Sequence, residues 1–191
     1  MSVKVLALGG SGGMGRFAVS TCLDFDNVEE VIVADINTDA AIAFAYSMND
    51  KVSGIGLDVT NIDSLKMQME KVDVVINTVG PFYKYGPPVL ESAIDSSCHY
   101  LDINDDWEPT LEMLKLHHKA ASKSVTAILG MGASPGLTNM LGAAAIQELD
   151  EVKTLYTGWS MDGAAAEEES SQSGVNAAMI HAVQQMTGKV R

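Results

Sequence analysis

The stretch VKVLALGGSGGMG, residues 3–15, decides how the rest of the chain is read. A mostly apolar run stops in a cluster of glycines, with Gly10, Gly12 and Gly15 at G-x-G-x-x-G spacing. A buried strand that ends this way and opens a helix matches the turn that holds a dinucleotide. The chain turns tightly, the backbone comes close to a pyrophosphate, and the amides at the helix N-terminus meet its charge. Ordinary strand-to-helix turns use the same spacing, so the reading depends on the residues downstream of Gly15.

Phe17, Ala18, Thr21, Cys22 and Phe25 recur at helical spacing, which predicts a helix from Gly15 onward. A β-branched run then ends in Asp35, twenty residues after Gly15. At that strand tip a carboxylate accepts hydrogen bonds from the adenosine ribose hydroxyls and repels a 2′-phosphate. Ile36, Asn37 and Thr38 come next, with no arginine among them, so the reading favours NAD over NADP. The alternative is a solvated acid that starts a turn.

Further elements alternate as a doubly wound α/β Rossmann sheet requires. The pattern predicts a helix over 40–48, a strand over 52–57 closed by Asp58 and Val59, a polar helix over 63–71 and a strand over 72–79. Asp58 is read either beside the adenine or as a turn or helix cap. The nearly all-apolar run 72–79 suits a parallel strand covered on both faces. At its carboxyl end lie Asn77, Thr78, Val79, Gly80 and Pro81, where ligands enter the crevice of such a sheet. Pro87 and Pro88 are expected in the first turn of a helix that buries Val89, Leu90, Ala93 and Ile94. A strand over 98–103 is expected to pack His99 in the core, and a single helix over 108–122 carries His117 and His118. Adjacent histidines lack metal-ligand spacing, so they are read as surface residues and no metal site is expected. A strand over 125–129 leads through the glycine-rich loop 130–136 into a helix over 137–149. Ser134 is read as its N-cap, Pro135 as its first residue, and Leu137, Met140, Leu141, Ala144, Ala145 and Leu149 as its periodic apolar positions.

Composition narrows the function. With 47% hydrophobic residues the chain can bury a core, and its net charge of −13 opposes binding to nucleic acid or an anionic membrane. Cys22 and Cys98 suggest neither a disulfide framework nor a zinc site, and no apolar run approaches a membrane span. A cytoplasmic protein is expected. Residues 1–150 read as an NAD(P)-binding domain. Residues 151–191 read as the incomplete opening of a second, α+β domain, with a strand over 152–159, an acidic loop over 162–174 and a helix over 175–186. The alternative is a tail that packs on a partner subunit.

Taken together, Gly9 with the adjoining Gly10-Ser11-Gly12-Gly13-Met14-Gly15, Asn77-Thr78-Val79-Gly80-Pro81-Phe82, Tyr85-Gly86, Cys98-His99-Tyr100-Leu101-Asp102 and Gly132-Ala133-Ser134-Pro135-Gly136 resemble the saccharopine dehydrogenase family. The resemblance implies an NAD(P)-dependent oxidoreductase. Such enzymes transfer hydride between the nicotinamide and the C–N bond of an amino-acid-like amine or imine, and form a homodimer through a C-terminal domain. It implies that Gly10, Ser11, Gly12, Gly13 and Met14 hold the pyrophosphate, and that Asp35, with Ile36 beside it, holds the ribose. Asp58 and Val59 would lie toward the adenine. Asn77, Thr78, Val79, Gly80 and Pro81 would run beneath the nicotinamide, while Asp102, Ser134 and Pro135 border the nicotinamide and substrate. Tyr83 and Tyr85 would face a substrate. No acid–base residue is assigned; Tyr85 and His181 are the candidates. The competing reading is a Rossmann module that binds the cofactor without turnover.

Overall fold

The computed structural model describes residues 2–158. Its centre is a six-stranded sheet of β1 (Val3–Leu8), β2 (Val28–Asp35), β3 (Val52–Gly56), β4 (Val74–Asn77), β5 (His99–Asp102) and β6 (Ala127–Ile128). Every pairing is parallel and the order is β3-β2-β1-β4-β5-β6. Around it lie α1 (Gly13–Cys22), α2 (Thr38–Tyr46), α3 (Ile62–Met69), α4 (Phe82–Asp95), α5 (Trp107–Leu114), α6 (His117–Ser122) and α7 (Leu137–Gln147).

Successive strand residues point to opposite faces, so a strand covered on both sides must be apolar at every position. Along β1, Val5 and Ala7 pack with Val19, Cys22, Val31, Val33, Ala41 and Phe44 on one face. Leu6 and Leu8 pack with Leu65, Met69, Val75, Leu90, Ile94 and Tyr100 on the other. This is why Val5 to Leu8, beyond Lys4, run without a polar residue. The strand order reverses between β1 and β4, and two connections diverge there to leave a crevice at the carboxyl ends. The Thr78 amide donates to the Leu8 carbonyl at 3.0 Å and fixes the two lips together.

Several elements differ from the sequence pattern. Helix α4 starts at Phe82, so Pro87 and Pro88 lie inside it rather than in its first turn. The amides of Lys84 and Tyr85 both donate to the Pro81 carbonyl at 3.1 Å, which opens the helix early. The bonds the prolines cannot make would have gone to the carbonyls of Tyr83 and Lys84, both exposed residues. The expected helix over 108–122 is two helices. Lys115 and Leu116 donate three residues back, to Glu112 and Met113, and this tighter turn breaks the α-helical pattern. His99 is exposed and not packed in the core, because the alternate residue Tyr100 takes the inward position; its Nδ1 accepts the Thr126 amide at 3.0 Å. Residues 152–158 form no strand: alternation needs a neighbouring ladder, and here Leu155 lies against Gly142 of α7 instead. Residues 159–191, with the expected loop over 162–174, the helix over 175–186 and His181, lie outside the described residues.

Asp95 accepts from Lys66 and Lys119, each at 2.7 Å, and Lys119 also meets Glu91 at 2.9 Å, joining α3, α4 and α6. Cys22 and Cys98 are buried and free, and burial pushes the Cys98 thiol up to about 12. Among the described residues no helix is long and apolar enough to cross a membrane.

Candidate functional site

The three glycines of the opening turn have separate physical duties. A Cβ on Gly10 would sit 2.8 Å from the Ala7 carbonyl oxygen, so the turn cannot be this tight with any other residue. A Cβ on Gly15 would strike the Gly9 carbonyl oxygen and come within 2.6 Å of the Gly10 Cα, because the first turn of α1 lies directly on the loop. Gly12 differs: it is exposed, and a Cβ there would meet only the Gly9 oxygen, at 3.2 Å. The fold therefore requires Gly10 and Gly15, while Gly12 keeps its outer side clear for something that approaches the backbone.

Gly12 is also the N-cap of α1, and no side chain caps the helix. No acidic residue occupies its first turn. Amides in the first turn of a helix have no intrahelical acceptor and carry the positive end of the helix dipole, so this end suits an anion. Gly13 and Met14 begin that turn, and Met14 is exposed.

Asp35 stands beside the same loop. Its Oδ2 accepts the Ser11 hydroxyl at 2.6 Å and its Oδ1 accepts the Asn37 amide at 3.1 Å, which fixes the plane of the carboxylate. Ile36 is exposed at the strand tip. Asp58 makes a turn of its own: Oδ1 accepts both the amide and the hydroxyl of Thr60, at 2.8 and 2.7 Å. These bonds, from the amide foremost, pull its carboxyl below the ordinary carboxylate range. Asn61, not Asp58, caps α3, and Val59 packs against the core.

Arg16 carries no signal in the residues after Asp35, where a cation for this site is ordinarily sought. Its Nε donates to the Ser11 carbonyl at 2.8 Å and its guanidinium lies 4.9 Å from the centre of the Phe44 ring. The signal that could have found it is its place, one residue beyond Gly15, in the first turns of the helix that faces the crevice.

Across the crevice, the Thr78 hydroxyl bonds the carbonyls of Leu8 and Gly9, at 2.9 and 3.2 Å. Asn77 is fully buried: its Oδ1 accepts the Val79 amide at 3.0 Å and its Nδ2 donates to the Tyr100 hydroxyl at 3.0 Å. Gly80 has open space where a side chain would stand, and Pro81 beside it is exposed. Tyr85 is half-buried in the start of α4 with the Lys84 ammonium 4.8 Å from its ring centre, while Tyr83 is exposed.

Asp102 is only 1% exposed. Its Oδ1 accepts the amides of Gly130 and Asn104, at 2.8 and 3.0 Å. Burial pushes its carboxyl up, and the two amides and the Tyr100 hydroxyl oppose that rise. Tyr100 and Asn104 are site residues that local spacing does not mark. Residues 100 and 102 share a strand face by alternation, and Asn77 is the register partner of Asp102.

The loop over 130–136 differs from its expected role. The N-cap of α7 is Gly136, not Ser134, and Pro135 precedes the helix. Gly136 has φ +122°, a conformation reserved for glycine, and a Cβ there would strike the Gly132 oxygen. Its amide donates to Asn139 Oδ1 at 3.0 Å. Ser134 and Pro135 therefore form the tip of a loop beside the crevice end of β6. Leu137, Met140 and Leu141 of α7 are exposed. No group of three His, Cys, Asp or Glu side chains that could hold a metal occurs among the described residues.

Residues 5–128 match the model of the saccharopine dehydrogenase NADP-binding domain family. A saccharopine dehydrogenase-like oxidoreductase of Arabidopsis thaliana, described as mitochondrial, is 27% identical over 137 residues, covering 65% of this chain and 30% of the relative. The human saccharopine dehydrogenase-like oxidoreductase is 34% identical over 87 residues, covering 45% of this chain and 20% of the relative. Apo saccharopine dehydrogenase (L-Glu forming) from Saccharomyces cerevisiae superposes with a TM-score of 0.67 at 25% identity, over 77% of this chain and 31% of that one. The chain thus spans about a fifth to a third of the length of these relatives.

Proposed function

Because the chain belongs to the saccharopine dehydrogenase NADP-binding domain family, we propose that its crevice holds a nicotinamide dinucleotide for hydride transfer to or from the C–N bond of an amino-acid-like amine or imine. The observation that carries the cofactor part is the uncapped N-terminus of α1 at Gly12, beside a glycine whose outer side is clear and a carboxylate fixed by Ser11 and Asn37. Pyrophosphate oxygens would take the first-turn amides of α1, and the ribose hydroxyls would donate to Asp35. The nicotinamide end would lie across the switch point, toward Thr78, Val79, Gly80 and Pro81.

Hydride transfer is the chemistry the cofactor supplies when bound; the chain's residues bind, orient and exclude water. Thr78 joins the two lips of the crevice and so fixes the distance between the halves of the site. Asp35 favours the free ribose hydroxyls of NAD. Arg16 is the cation through which the 2′-phosphate of NADP is accommodated, since a guanidinium pairs with phosphate and Arg16 is tied to the same Ser11 that Asp35 engages. Calorimetric titration with NAD and NADP tests the binding. Dinucleotide reduction assayed across a panel of amino acids and amines tests the chemistry; a chain that binds the cofactor and shows no amine-dependent reduction points to the module without turnover.

A further inference from the structure

Asn77, Tyr100 and Asp102 are each 1% exposed or less and lie side by side at the carboxyl ends of β4 and β5. The Val79 amide donates to Asn77 Oδ1, Asn77 Nδ2 donates to the Tyr100 hydroxyl oxygen, and Asp102 Oδ1 receives the amides of Asn104 and Gly130. Each of those three amides belongs to a different loop: Val79 follows β4, Asn104 follows β5 and Gly130 follows β6. A second strap reinforces the last of these, since the Met131 amide donates to the Asp102 carbonyl at 2.7 Å.

The link between the two halves is the Tyr100 hydroxyl. Its oxygen already accepts from Asn77, so its proton is free for an acceptor on the other side. Asp102 Oδ2 is buried and makes no hydrogen bond among the described residues, while Tyr100, two residues back on the same strand face, places its hydroxyl against Asn77, the register partner of Asp102. A buried carboxylate oxygen left unmatched is costly, so the phenolic proton is the donor available to meet it.

We propose that Asp102 is a positioning residue: acting through Tyr100 and Asn77 from behind the crevice wall, it holds the loops after β4, β5 and β6 in register, and so shapes the nicotinamide end without touching the ligand. This rests on the reading of the crevice as a dinucleotide site. The adenosine end lies on the other side of the switch point, on β1 and β2, and shares none of these bonds.

The test uses the full chain and two variants, Asp102→Asn and Tyr100→Phe, each close to isosteric with the residue replaced. Amide hydrogen exchange reads the wall directly. In Asp102→Asn, exchange at Gly130, Asn104 and Val79 rises together by about tenfold, as a charged acceptor gives way to a neutral one, while the Gly12 amide after β1 is unchanged. In Tyr100→Phe, Val79 and Gly130 loosen together. Exchange that changes at Gly130 and Asn104 but not at Val79 overturns the coupling.

Binding then reads the consequence. Affinity for the dinucleotide is expected to fall about tenfold in Asp102→Asn while affinity for ADP-ribose, which lacks the nicotinamide, stays within about twofold. Equal losses for both ligands, or no loss for either, overturn the positioning role. A wild-type chain that binds neither ligand counts against the dinucleotide reading, and the exchange data still decide whether the three loops are coupled.

Discussion

The Ser11 hydroxyl donates to the Asp35 carboxylate at 2.6 Å, tying the glycine turn after β1 to the tip of β2. Arg16 reaches the same Ser11 through its carbonyl, at 2.8 Å. One serine thus places an acid and a base together where the adenosine ribose is expected, and the two side chains predict opposite effects on cofactor choice. Asp35→Ser with Ile36→Arg is expected to weaken NAD by about tenfold, or about 1.4 kcal/mol, and to strengthen NADP. Arg16→Ala is expected to weaken NADP and leave NAD unchanged. Calorimetric affinities for both cofactors check this, and two unchanged affinities in the double variant remove Asp35 from the site.

Gly12 and Gly15 separate binding from folding. Gly12→Val abolishes dinucleotide binding, because the new side chain stands where the pyrophosphate comes, and lowers the melting temperature far less than Gly15→Val, since its Cβ meets only the Gly9 oxygen, at 3.2 Å. Gly15→Val lowers the melting temperature itself, since its Cβ strikes the Gly9 carbonyl. Thermal unfolding beside cofactor titration distinguishes the two; a Gly12 variant with intact affinity contradicts the fingerprint.

Leu90 is 1% exposed in the cluster that joins α4 to the sheet. Leu90→Ala is expected to cost about 2–5 kcal/mol of stability, through lost transfer energy and the cavity left behind. Urea unfolding measures this, and a loss below about 1 kcal/mol would show that the site collapses without a cavity.

Two carboxylates give pH dependence of opposite sign. Hydrogen bonds from Lys119 and Lys66 hold Asp95 down at about 2. Its stabilisation is present above the ordinary carboxylate value of 3.8 and is lost as pH falls from there toward about 2. Asp95 and its two lysine partners are each about a third exposed, so the contribution is about 1 kcal/mol or less and declines with salt. Asp102 is pushed up by burial, so the folded state holds its proton more tightly than the unfolded chain does. Its ionisation opposes folding as pH rises from 3.8 through the raised value. Unfolding free energies across pH 2–7 should show Asp95→Asn flattening the acid limb and Asp102→Asn removing the opposing slope. Parallel curves for all three proteins contradict both assignments.

The sheet was legible because its strands are covered on both faces, which leaves long apolar runs that few other arrangements need. Val5, Leu6, Ala7 and Leu8 announce this in four successive residues. The glycine turn and Asp35 were legible for a related reason: close backbone approach admits few residue types. Helix ends were less so. Pro87 and Pro88 usually mark a first turn, and only the bonds of Lys84 and Tyr85 to Pro81 show that α4 had already begun. The apolar period of 137–149 gives a helix but not its cover, since Leu137, Met140 and Leu141 stay exposed. Tyr100 was not legible as a site residue because its role depends on Asn77 across the ladder, and pairing between strands 23 residues apart is written in register, not in local spacing.

Titration of the full chain with NAD and NADP, in parallel for the native protein and Gly12→Val, decides whether the glycine turn holds a dinucleotide. One dinucleotide is expected to bind per chain of the native protein, and none to a Gly12→Val variant that thermal unfolding shows to be folded. A folded native chain that binds neither cofactor, or a variant that binds as the native chain does, would contradict that expectation.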